Sequence, residues 1–189
     1  TLTAVIEKGF ITSLKSRTTG EEFIAPFDVN RNAALQLVYS GGSTVNINEE
    51  KFGSIETRQL SPVRAEVIFH SWDGDGVLAV SLDPERGDLL IEPSAYSSRP
   101  GVRSCRWNIT GLRTDLQLVA PFFQGIKLPL SDALIHDSHW TWAMYWEAGL
   151  AILESRNGGF WIHARDNRYR YKALKVGTEK NPHVLGFDS

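Results

Sequence analysis

A single cysteine, Cys105, stands in a chain of 189 residues. It excludes an internal disulfide, so packing alone must hold the fold. That fits a cytoplasmic protein and equally allows a secreted one. No apolar run approaches the roughly 20 residues of a membrane-spanning helix, so no membrane partner is expected. The first residues lack the basic start and apolar core of a secretory leader. The chain opens on Thr1 and closes on Gly186-Phe187-Asp188-Ser189, which reads as a mature chain or an excerpt of a longer protein. Twenty Lys and Arg against 22 Asp and Glu leave a formal charge of -2. There is no basic block, so the electrostatic footprint of a nucleic-acid binder is missing. A helical stripe, a G-x-S-x-G elbow and a glycine-rich phosphate loop are missing too.

Alternating apolar residues fill the space that helices leave. Val63, Ala65, Val67 and Phe69 share one strand face, opposite Arg64, Glu66, Ile68 and His70. Further runs lie at Phe10–Leu14, Ala34–Tyr39, Val77–Leu82, Asp88–Ile91, Val102–Thr110 and Asp115–Val119. Gly, Pro, Asn and Asp punctuate them at roughly the 8–12-residue interval of a β-sandwich. Short helical turns are expected around Ser131–Ile135, a turn at Asp73-Gly74-Asp75-Gly76, and loops over residues 93–101 and 121–139. Without repeats or an obvious linker, residues 1–189 read as one all-β domain.

The aromatic weight lies between Trp140 and Tyr171, which holds four of the six tryptophans. Read as two long strands, this block obeys parity. Even positions from Trp140 through Trp142, Met144, Trp146, Ala148 and Leu150 to Ile152 are apolar and form the expected core stripe. Arg156-Asn157-Gly158-Gly159 is a hairpin turn. Beyond it Phe160, Ile162 and Ala164 share one face, and Trp161, His163 and Arg165 the other, followed by Asp166. A tryptophan beside an imidazole and a guanidinium suits either a wet, sugar-stacking face or a half-buried indole packed by an arginine stem.

Other candidate chemistry reads as ordinary structure. Glu147, Asp166, Asp73, Asp75, Glu92 and Asp137 offer carboxylates, but no spacing fixes a glycosidase pair. His136 and His139 lie three apart, which on a strand puts the two rings on opposite faces. Cys105 reads as a small core residue. No metal and no cofactor is expected.

Two segments carry a family resemblance. Ile6-Glu7-Lys8-Gly9-Phe10-Ile11-Thr12-Ser13-Leu14, followed by Thr18-Thr19-Gly20-Glu21-Glu22, resembles the first hairpin of galactose mutarotase-like domains. Trp146-Glu147, Leu150–Leu153, Gly158–Ile162 and Asp166 are similar to a late hairpin in the N-terminal supersandwich of large α-galactosidase-like and endo-α-N-acetylgalactosaminidase-like glycoside hydrolases. The resemblance implies a two-sheet antiparallel β-supersandwich that precedes a catalytic (β/α)8 barrel of the same polypeptide. The chain has no alternating βα pattern, so the implied role is non-catalytic: packing on that barrel and contacting glycan. Residues proposed for carbohydrate are Trp161, His163, Arg165, Asp166, Trp72 and, beside a loop, Trp140. The histidine motif of free-standing mutarotases is absent. A mutarotase-like epimerase or lyase, and a pure protein-interaction sandwich, stay open as alternatives.

Overall fold

A computed structural model describes residues 1–47, 54–71, 74–166 and 168–189. In chain order its strands begin with β1 (Leu2–Glu7), β2 (Phe10–Ser16), β3 (Leu35–Tyr39), β4 (Thr44–Ile47), β5 (Ile55–Ser61), β6 (Arg64–Ser71), β7 (Gly74–Leu82) and β8 (Leu89–Ala95). They continue with β9 (Val102–Leu112), β10 (Gln117–Ala120), β11 (Ile126–Pro129), β12 (His139–Thr141), β13 (Leu150–Glu154), β14 (Gly159–His163), β15 (Ala173–Gly177) and β16 (His183–Asp188). The helical element among the described residues is one 3₁₀ turn, Val29–Arg31, capped where the Asn30 amide donates to Asp28. The fold is all-β and built of antiparallel sheets, as the alternation predicts. The chain divides into two compact units: Thr1–Val5, Ile11–Phe27 and Asn108–Ser189 form the first, and Ile6–Phe10 with Asp28–Trp107 the second.

In the second unit a meander runs β5-β6-β7-β8, and β4-β3-β9 pair beside one another. Val67 and Phe69 of β6 are buried, as their parity predicts. The β6–β7 register pairs His70 with Asp75 and Phe69 with Gly76. Gly74–Gly76 therefore belong to a strand rather than to the expected turn, whose Asp73 lies outside the described residues. A Cβ on Gly76 would lie 3.4 Å from both Ile47 and Leu35, so the meander packs on β3 and β4. Gly9, at φ +86°, admits no side chain: its Cβ would stand 2.5 Å from the Phe69 ring. The Trp107 indole donates to the Gly9 carbonyl at 3.3 Å. Pro93–Ala95, expected in a loop, extend β8; this strand is the sheet edge, where a missing N–H is tolerated.

In the first unit one sheet has the order β11-β10-β13-β14, and β12-β15-β16 pair in another. Phe23 meets Phe160 at 5.2 Å, and Trp146 meets Phe187 at 6.0 Å. The expected long strand from Trp140 does not form. β12 stops at Thr141, and turns occupy 142–149. The Thr141 carbonyl accepts from the Tyr145 and Trp146 amides at 2.9 and 3.1 Å, which folds the chain back. Trp146 is then fully buried, and its indole donates to the Leu150 carbonyl at 2.9 Å. The even stripe dissolves accordingly. Met144 is 69% exposed, and in β13 the buried residues are Ala151 and Leu153. Parity propagates only along an unbroken strand. Residues 131–135 form turns, with the Leu134 amide bonded to the Asp132 carboxylate, instead of helical ones.

Candidate functional site

Directly opposed residues on paired strands share a face. In the sheet of the first unit, Phe160, Leu153 and Leu118 stand in one row and are buried. The reverse face is open. Its rows are Trp161, Ile152, Val119 and Lys127, then His163 with Leu150, then Glu154 with Gln117. Trp161 is 55% exposed, and Ile152 and Val119 are half-buried, so three apolar side chains form a stripe across the strands. Polar groups flank it. Lys127 Nζ lies 2.6 Å from Glu154, and the His163 ring is 6.3 Å from the Trp161 ring at 50°. Beyond β14 the Ala164 amide donates to the Gly149 carbonyl, and alternation carries Arg165 out on the exposed parity.

Asp166 organises the next loop. Its carboxylate accepts from the Arg168 and Arg170 amides and from Lys172 Nζ, each at 2.9 Å. The Lys172 hydrogen bond, then the Arg168 amide, outweigh burial and hold the Asp166 carboxyl far below the usual carboxylate range. Lys172 is itself buried, its ammonium 4.2 Å from the Trp142 ring centre. Tyr169, at φ +54° and 81% exposed, reaches Trp142 at 5.7 Å. Asp166 thus presents Arg168, Tyr169 and Arg170 outward rather than facing solvent alone.

Trp140 lies elsewhere in the expected set. It is 6% exposed and stacks on Phe122 at 4.5 Å and 17°. Phe123 and Tyr145 continue that cluster outward, edge to face at 5.6 Å. Trp72 falls outside the described residues. The exposed rings of Phe123, Tyr145 and Tyr169 were not foreseen, since the folded-back turn and the positive φ of Phe123 and Tyr169 leave no mark in periodicity. Also unforeseen is the polar side of β9. In the second unit Ser104 and Arg106 are buried beside the apolar Cys105 and Trp107. Gln36 pairs with Arg106 across the strands and donates to Asn46 at 2.7 Å. The S-C-R-W alternation was legible as a strand, but nothing in it marks the polar half as buried.

The remaining polar groups serve structure. Burial alone would raise the Glu22 carboxyl; the Ser13 hydroxyl and the Leu14, Ile24 and Phe23 amides hold it below the ordinary value. Its neighbour Glu21 accepts from Arg113 at 2.9 Å and from Ser155 at 2.7 Å. Ser155 sits in the β13–β14 loop, so the Thr19-Gly20-Glu21-Glu22 turn braces the hairpin that carries Trp161. His136 bonds the Ser131 carbonyl, and Asp137 pairs with Lys175. His139 Nε2 lies 3.1 Å from the buried Asp188 carboxylate. Among the described residues no three His, Cys, Asp or Glu converge as metal ligands. No protein-family model matches the chain, and no curated protein sequence matches it.

Proposed function

We propose that this chain is a non-catalytic β-sandwich module that contacts carbohydrate and packs, in its parent protein, on the glycoside hydrolase barrel its resemblance implies. One observation carries the carbohydrate part: Trp161 stands 55% exposed on an open sheet face, in line with Ile152 and Val119 and edged by His163, Glu154, Lys127 and Gln117. The C–H face of a pyranose stacks on an indole, while its hydroxyls need donors and acceptors at the margin. Trp161→Ala should weaken oligosaccharide binding about tenfold or more, read by tryptophan fluorescence or calorimetry. Its melting temperature should stay within a degree or two of the parent, because the side chain is surface-exposed. A variant that melts early would make Trp161 a packing residue and remove the reading.

A second reading, a mutarotase-like epimerase, draws on the His139–Asp188 pair, an imidazole and a carboxylate in hydrogen-bond contact. Polarimetry on galactose and glucose decides it. Acceleration over buffer that vanishes in His139→Ala supports it, and a rate equal to buffer removes it.

A further inference from the structure

We infer that the saccharide this face takes is acidic, a uronate-bearing oligosaccharide whose carboxylate meets the loop beyond β14. The inference rests on the carbohydrate reading above and names its ligand class. Residues 165–172 hold four cations, Arg165, Arg168, Arg170 and Lys172, against the single carboxylate of Asp166: a formal +3 within a chain of net charge -2. That carboxylate is already engaged, by Lys172, by two backbone amides and, at 3.4 Å, by Arg170 Nε, whose exposed guanidinium keeps its other N–H groups for a ligand. The Arg170 side chain is 71% exposed, and Arg168 is exposed beside it. On the sheet itself Lys127 is matched by Glu154. The positive charge is therefore concentrated at one end of the stripe, where alternation from Trp161 through His163 leads to Arg165. A guanidinium offers two parallel donors to a carboxylate, a geometry neutral sugars cannot exploit. Arginine and tyrosine in alternation also suit single-stranded nucleic acid. A short ligand is favoured here, because the acidic remainder of the chain repels a long polyanion.

Three probes test this on the intact chain: tetragalacturonate, a neutral tetrasaccharide of the same ring type, and oligo-dT. Tetragalacturonate should bind about tenfold tighter than the neutral sugar at about 50 mM salt. The advantage should shrink steeply by about 500 mM salt. In Arg168→Gln/Arg170→Gln the ratio of the two affinities should fall towards one. Trp161→Ala should weaken both sugars. Equal affinity for acidic and neutral sugars overturns the inference and leaves the carbohydrate reading standing. Binding of neither sugar by folded protein overturns both. Tighter binding of oligo-dT than of tetragalacturonate overturns the inference in favour of nucleic acid. If the double variant does not fold, the salt dependence of the parent chain decides alone.

Discussion

Glu22 illustrates how little of a carboxylate's role depends on its exposure. Its two oxygens take one hydroxyl and three amides, joining β2 to the chain that follows the Thr-Gly turn. Glu22→Gln keeps the shape and loses the charge, so it should cost about 1–3 kcal/mol, measured by urea unfolding with an unchanged slope. The sign of its pH dependence follows from a lowered folded-state pKa. The stabilisation is present above the ordinary Glu value of 4.5 and is lost as pH falls below it. His183 acts in the same direction at higher pH. Its ring is buried with Nδ1 unbonded, and burial, followed by the charge of His136, depresses its pKa below 6.5. The unfolded chain takes up the proton first, so stability declines as pH drops through 6.5, at no more than about 1.4 kcal/mol per pH unit. His183→Phe should flatten that limb of a stability–pH curve.

At the level of elements, the folded-back turn between β12 and β13 governs what the first unit shows to solvent. Trp146 anchors it from inside; Trp146→Ala should cost about 3–5 kcal/mol, seen as a lower urea midpoint. Asp166 anchors the neighbouring loop, and Asp166→Asn should speed amide exchange at Arg168 and Arg170 while strands β13 and β14 keep their protection. β6 was legible because apolar and polar residues largely alternate along it, and β14 because the Asn157-Gly158-Gly159 turn sets its start. The Asn157-Gly158 turn was legible because few residue pairs accept its backbone. β5 was not, since nearly all its side chains are exposed and no pattern marks an edge strand. β15 and β16 lie outside the expected strands, although Leu174 and Val176 alternate as β6 does. The Trp140–Ile152 stripe misled for a different reason. An apolar residue every second position satisfies a strand, yet a buried indole that bonds a carbonyl four residues on satisfies a turn equally well. Of the candidate site, Trp161, His163 and Arg165 were legible from parity alone; the charge concentrated around Asp166 was diluted out of the whole-chain count.

On the scale of the molecule, three carboxylates lean the same way. Glu22 is lowered by its hydrogen bonds, Asp115 chiefly by its hydrogen bond to Arg113, and Asp166 chiefly by Lys172. All three favour the folded state above about pH 4 and cease to do so in acid, so an acid titration followed by tryptophan fluorescence should show unfolding below that point. With a single cysteine there is no disulfide to hold the opened chain together.

That same cysteine makes the second unit a clock. Cys105 is 7% exposed, next to Trp107, whose indole is bonded to Gly9. The Cys105 sulfur must reach the electrophilic reagent as a nucleophile, and burial keeps the two apart, so modification must wait for the strand to open. With one target per chain, the reaction counts openings directly, and no second thiol blurs the trace. Gly9→Ala, forced against Phe69, should quicken modification by about tenfold or more at fixed reagent, read by release of a coloured thiolate, while the unfolded chain reacts at an unchanged rate.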